Sequence, residues 1–223
     1  MNKHTRGFTL VELLAVIAII GVLAAIVLAT LGTIREKARL VGCRSNIRQV
    51  GLALELYSND NKGFYPPAQV LNDGDDNGWI WCSTLIRGNY LDRRILLCPG
   101  DTVNQAALKY AGTNPPETGR SYSYCARVMS NNTHDKGTPL QKSLVETPSW
   151  QYMLTEWHGA AYSWKGHAGE LANYTLATNS TANISPSHKN GGRHFVFIDC
   201  HVEWRTPDKF GDINSGWRLN NKP

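Results

Sequence analysis

Gly7-Phe8-Thr9-Leu10-Val11-Glu12-Leu13-Leu14 leads into an apolar run that continues from Leu13 to Leu31 without a charged residue. A bilayer core of roughly 30 Å needs about 20 apolar residues in helical form, so this run predicts a membrane-crossing helix. Lys3 and Arg6 precede it and no Ala-x-Ala-like site follows it, which is not the layout of an ordinary secretory signal. Glu12 is the carboxylate of this stretch. Such a group costs on the order of 2.5 to 3.5 kcal/mol in hydrocarbon on insertion scales. It needs either a cation, which the apolar run does not supply, or a position near the headgroups.

The helix is expected to continue past the apolar run. Leu40, Cys43, Ile47, Val50, Leu54 and Tyr57 recur at alternating spacings of three and four, which is one face of a helix. No proline occurs between Phe8 and Tyr65 to enforce a break. At about 1.5 Å per residue, a helix from Phe8 to near Asn59 would be on the order of 75 Å long. Asn59-Asp60-Asn61-Lys62-Gly63 supplies turn formers to end it, and Pro66-Pro67 prevents its immediate resumption. The 223 residues carry a net charge of +5. Arg35, Lys37, Arg39, Arg44 and Arg48 contribute much of that excess and read as a solvated or headgroup-facing stripe, so no specific nucleic-acid partner is expected. The length beyond the anchor suits one domain.

Lys3, Arg6, Gly7, Phe8, Thr9, Leu10, Val11, Glu12, Leu13 and Leu14, followed by the Ile/Ala/Val-rich run Ala15 to Ala29, resemble the prepilin-type N-terminal cleavage and methylation segment. That segment is found in type IV pilins and in the pseudopilins of type II secretion systems. The resemblance implies that a prepilin peptidase cuts between Gly7 and Phe8 and N-methylates Phe8. It also implies that Glu12 pairs with the Phe8 amine of an adjacent subunit during assembly. Lys3 and Arg6 favour a cytoplasmic N-terminus, yet Arg35, Lys37 and Arg39 at the far end leave charge alone ambiguous. The leader resemblance places the residues after about Ile34 outside the inner membrane, in the periplasm or at the cell surface. The implied organisation is a leader over residues 1–7, a transmembrane and filament-core helix over 8–34, its amphipathic continuation over 35–60, and a globular head over 61–223.

The segment from Cys43, Asn46, Gln49 and Gly51 through Tyr57, Asp60, Gly63, Tyr65 and Pro66 looks like part of a large prepilin-like family whose members end in a histidine, nine residues and Asp-Gly. The counterparts here are His188 and Asp199, with ten residues between them and Cys200 in place of the glycine. Read from the residues alone, Phe195, Phe197, Asp199, His201 and Glu203 alternate with Val196, Ile198, Cys200, Val202 and Trp204, the period of a half-buried strand. A two-residue turn at Asp199-Cys200 would need positive φ, to which cysteine is poorly suited. Either that turn is strained or the strand runs through; Gly191-Gly192 is an easier bend. His188, His194, Asp199, Cys200 and His201 are residue types that ligate Zn2+ or activate a thiolate. Adjacent strand residues point to opposite faces, however, and neither Cys-x-x-Cys nor His-Glu-x-x-His occurs. Structural hydrogen bonding and disulfide pairing are the expected roles.

Five cysteines fit an exported protein. Cys43 lies on the apolar helix face. Cys82, Cys98, Cys125 and Cys200 lie in the head and are expected to form at least one disulfide among themselves. Cys82 with Cys98 is favoured, because Trp79-Ile80-Trp81 and Ile95-Leu96-Leu97 place a short apolar run before each. Asp73, Asp75, Asp76 and Asn77 offer oxygen donors in a loop, which Ca2+ would accept. The resemblance to pseudopilins, whose major heads hold calcium in a loop, would imply such a site here, although a plain polar turn is the simpler reading. No other cofactor is expected.

The expectation is an α+β, pilin-like protein: one long N-terminal helix laid on a mostly antiparallel sheet with long loops. Its function would be structural, as a subunit joining other pilin or pseudopilin subunits in a secretion pseudopilus or pilus-like filament. The competing reading is an anchored surface-binding protein that uses the prepilin route for export alone, with Trp79, Trp81, Trp157 and Trp164 as its contact surface. An enzyme ranks third.

Overall fold

The computed structural model describes residues 9–67, 69–72, 75–101, 121–125, 139–156, 158, 188 and 191–206. Helix α1 spans Leu10–Asp60, 51 residues without interruption. Thr9 and Glu12 begin it as a capping box. The Thr9 N–H and hydroxyl each donate to Glu12 Oε2 at 2.8 Å, and the Glu12 N–H donates to Thr9 Oγ1 at 3.3 Å. Its end is closed by the Gly63 N–H, which donates to the Ser58 carbonyl at 2.8 Å. Lys62 and Gly63 both take positive φ there, 56° and 82°, which costs least at glycine.

The chain divides into two compact units, residues up to Arg39 and residues from Leu40 onward. In the first, Leu13, Ile17, Ile20, Leu23 and Val27 are exposed, and α1 is long and apolar enough there to cross a membrane. In the second, α1 buries Cys43, Ile47, Val50, Gly51 and Leu54, the face that the three–four spacing predicts. Leu40 and Tyr57 are partly buried, and Arg44 and Arg48 are exposed on the opposite side. Full burial of Ile47, Val50 and Leu54 stabilises the unit by roughly 1.5–3 kcal/mol each.

That face lies on a four-stranded antiparallel sheet of order β3-β4-β5-β6, formed by Tyr122–Tyr124, Tyr152–Glu156, Arg193–Phe197 and Val202–Arg205. A separate hairpin pairs β1, Gln69–Asn72, with β2, Asp75–Ile80, and leads into α2, Trp81–Arg87. Long helix and antiparallel sheet together make the α+β, pilin-like layout. Gly51 permits the close approach of α1: a Cβ there would sit 2.9 Å from Val196 Cγ1 on β5.

β5 is buried along its whole length rather than on one face. It is an interior strand. Val196 meets α1, whereas its neighbours Phe195 and Phe197 set their rings at a tilt against the Tyr152 ring, with centroids 5.1 Å apart. The strand does not run through to His201. It turns at Ile198 and Asp199, with Cys200 at φ 65° and the Cys200 N–H donating to the Phe197 carbonyl at 2.8 Å. Cysteine therefore occupies a left-handed position that costs an L-residue roughly 1–2 kcal/mol.

Candidate functional site

Gly7 and Phe8 lie outside the described residues, so the N-terminal site is visible from Thr9. Both hydrogen bonds from Thr9 end on Oε2 of Glu12, and the contact is exposed to solvent. Glu12 therefore serves its own helix as well as carrying the charge that the resemblance assigns to subunit pairing. The Thr-x-x-Glu spacing is the signal for the capping role.

A second site lies inside the head. Glu156, at the end of β4, is fully buried. Its Oε1 lies 3.1 Å from His188 Nε2 and 3.0 Å from His194 Nδ1, and the His194 backbone N–H donates to Oε2 at 2.8 Å. Strand pairing explains the arrangement: Tyr122 on β3 stands opposite Glu156, and His194 on β5 stands opposite Trp204 on β6. The His194 and Trp204 rings meet edge to face at 4.8 Å.

α1 crosses over this row. The segment after the 3-10 turn at Arg93–Leu96 is tied to α1 by Asn46 Nδ2, which donates to the Leu97 carbonyl at 2.8 Å. Pro99 packs on Gly42. These two contacts bring Cys98 to Cys43, and the two form a disulfide with their Cα atoms 4.7 Å apart. Cys98 Sγ is 3.7 Å from His188 Nε2. His158, also buried, sets its ring against His188 with centroids 5.0 Å apart.

The disulfide corrects the expected pairing among Cys82, Cys98, Cys125 and Cys200. Cys98 pairs with the helix cysteine because its segment runs across α1, while Cys82, Cys125 and Cys200 are thiols, the first two buried. Peptide mapping without reductant should recover a Cys43–Cys98 cross-link; a Cys82–Cys98 cross-link would contradict the fold around Pro99.

The C-terminal set His188, His194, Asp199, Cys200 and His201 separates in space. His188 and His194 join Glu156. Asp199 accepts from the His201 backbone N–H at 3.1 Å on the exposed turn, and the His201 ring stacks on Phe197. Cys200 faces α1 at Gly51. Burial first, then the nearby charges of Glu55 and Asp199, push its thiol up to about 12, so it is no thiolate nucleophile at neutral pH. Glu156, His158 and Cys43 were not anticipated as site residues. The buried run ending Glu156-x-His158 and the place of Cys43 on the apolar helix face are the signals that point to them.

Asp73 lies outside the described residues, and Asp75, Asp76 and Asn77 belong to β2 rather than to a loop. Trp81 is wholly buried and stacked on Tyr124 at 5.2 Å, so it does not contribute to an exposed aromatic surface. Trp157 and Trp164 lie outside the described residues.

Burial would raise the Glu156 carboxyl, but the hydrogen bonds and charges of His188 and His194 outweigh it and hold it at about 2. This folded value lies below the unfolded one of about 4.3, so the stabilisation is complete above about pH 4.3 and is lost as pH falls toward 2. His158, lowered mainly by burial, adds a loss of the same sign below about pH 6.5. Acidification from about pH 7 to about pH 2 should therefore lower the unfolding free energy by about 3 kcal/mol from Glu156 alone. Urea denaturation across that range measures it, and a flat profile would contradict the cluster.

The family described as the prokaryotic N-terminal methylation motif matches residues 2–28, and the family described as a protein of unknown function, DUF1559, matches residues 32–92. The chain is 35% identical over 68 residues to the type II secretion system core protein G of Pseudomonas aeruginosa, covering 30% of this chain and 47% of that protein. It is 39% identical over 71 residues to the protein of the same name from Dickeya chrysanthemi, covering 32% and 46%. With that from Escherichia coli K12 it shares 46% identity over 56 residues, covering 25% and 39%. The chain thus spans less than half the length of these relatives. No solved structure matches it. What the helix α1, its capped start and these matches establish together is that the chain carries a prepilin-type N-terminal methylation segment followed by a DUF1559 segment.

Proposed function

We propose that the protein is a structural subunit of a type II secretion pseudopilus or a related pilus-like filament, rather than an enzyme. Prepilin peptidase would remove residues 1–7 and methylate Phe8. The helix would anchor the protein by a single pass in the inner membrane, with the head in the periplasm or at the cell surface, until other subunits receive it. The observation that carries this reading is the methylation motif over residues 2–28, which overlaps the start of a 51-residue helix whose first unit leaves its apolar side chains exposed. An unpartnered apolar helix of this length needs lipid or neighbouring helices around it.

Processing is the first test. The mature chain, isolated from membranes, should begin at N-methylated Phe8 by N-terminal mass spectrometry. A chain that still begins at Met1, or one that begins after Ala29, would overturn the proposal. The anchored binding-protein reading makes the same prediction here, and the two separate at assembly.

A further inference from the structure

Cys43 Sγ, Cys98 Sγ, a carboxylate oxygen of Glu156 and a ring nitrogen of His188 all lie within 4.8 Å of one another, and all four residues are buried. Two sulfurs, one imidazole nitrogen and one carboxylate oxygen are donors that Zn2+ takes in tetrahedral sites. We propose that, once the Cys43–Cys98 disulfide is reduced, these four side chains form a binding site for a borderline-soft divalent cation such as Zn2+. The site lies within the unit from Leu40 onward and does not depend on how the N-terminal segment functions.

The surroundings suit such a centre. His188 Nε2 points between Cys98 Sγ, 3.7 Å away, and Glu156 Oε1, 3.1 Å away, which is where a shared cation would sit. The Gly100 N–H donates to Cys98 Sγ at 3.3 Å and would stabilise a thiolate there. His194 holds the Glu156 carboxylate through its backbone N–H and its ring, the kind of outer contact that orients a metal ligand. His158 stands against His188, and its buried Nε2 has no hydrogen-bond partner among the described residues. It is a polar atom at the edge of the cluster that the disulfide form leaves unused.

Opening the site is a thiol–disulfide exchange with an external dithiol. The dithiol supplies two electrons and two protons and leaves as its own disulfide, while the Cys43–Cys98 S–S bond breaks to give two thiols. Each thiol then releases its proton as its sulfur bonds the metal. The protein therefore alternates between two mutually exclusive cross-links of the same residues, a disulfide or a metal.

The experiment uses the full chain in detergent, oxidised or reduced with a dithiol and then desalted, titrated with Co2+ and afterwards with Zn2+. The reduced chain should take up one Co2+ with a thiolate-to-cobalt charge-transfer band that Zn2+ abolishes. The oxidised chain should show no such band. Cys200→Ser should leave binding unchanged, whereas Cys43→Ser and His188→Gln should weaken it at least about tenfold. Zn2+ should also raise the Tm of the reduced chain and not of the oxidised one. Absence of the band in the reduced chain, whatever its circular dichroism, would overturn the proposal. So would a band that survives Cys43→Ser unchanged, which would assign the metal to other thiols.

Discussion

Replacing Glu156 with Ala should lower the unfolding free energy of the head by about 2–5 kcal/mol, because it leaves buried polar groups unpaired and removes buried volume. The loss has several parts. The His194 backbone N–H loses its acceptor, the rings of His188 and His194 lose a shared oxygen, and a cavity opens beneath α1 beside the disulfide. Glu156→Gln keeps the volume and one acceptor oxygen, so it should cost less, about 1–3 kcal/mol. It should also remove the Glu156 share of the acid-dependent loss below about pH 4.3, because that titrating group is gone. Urea denaturation of the three chains decides the matter. A Glu156→Ala chain as stable as wild type would mean that the cluster does not tie β4 to β5 and His188.

The two levels of this architecture differ in how far the residues reveal them. The length of α1, its buried face from Cys43 to Leu54 and its end near Asp60 follow from local rules: three–four spacing, the absence of proline, and the turn formers before Gly63. The site in the head follows from none of these. Glu156, His188 and Cys98 are brought together by strand pairing and by the Asn46–Leu97 contact, which join residues far apart in the chain. The C-terminal strand shows the limit in one residue. Cysteine at 200 argues against a turn by propensity, yet the turn forms there, because β5 and β6 must pair in register from Arg193 with Arg205 to Val196 with Val202. The same long-range ordering sent Cys98 to Cys43, whereas the apolar runs before Cys82 and Cys98 suggested a pairing within the head.

Glu12 has two separable roles, capping α1 and, in the proposed assembly, pairing with a neighbouring subunit. In wild type, Oε2 accepts from the Thr9 N–H and hydroxyl, and in the proposed assembly the same carboxylate would meet a neighbour's Phe8 amine. Glu12→Gln preserves a capping-box partner and removes the charge, whereas Glu12→Ala removes both. Membrane insertion should be no worse in either variant, since a costly carboxylate leaves the apolar segment. Loss of a close charge pair between subunits costs about 2–5 kcal/mol, so assembly should fall at least about tenfold in both. The direct measurement is disulfide crosslinking between subunits through Leu13→Cys and Val16→Cys, at matched membrane levels, with Glu12 intact and with Glu12→Gln. Crosslinked ladders should form with Glu12 intact and be almost completely lost with Glu12→Gln; equal ladders in both would contradict assembly through Glu12 and put the anchored binding protein in its place.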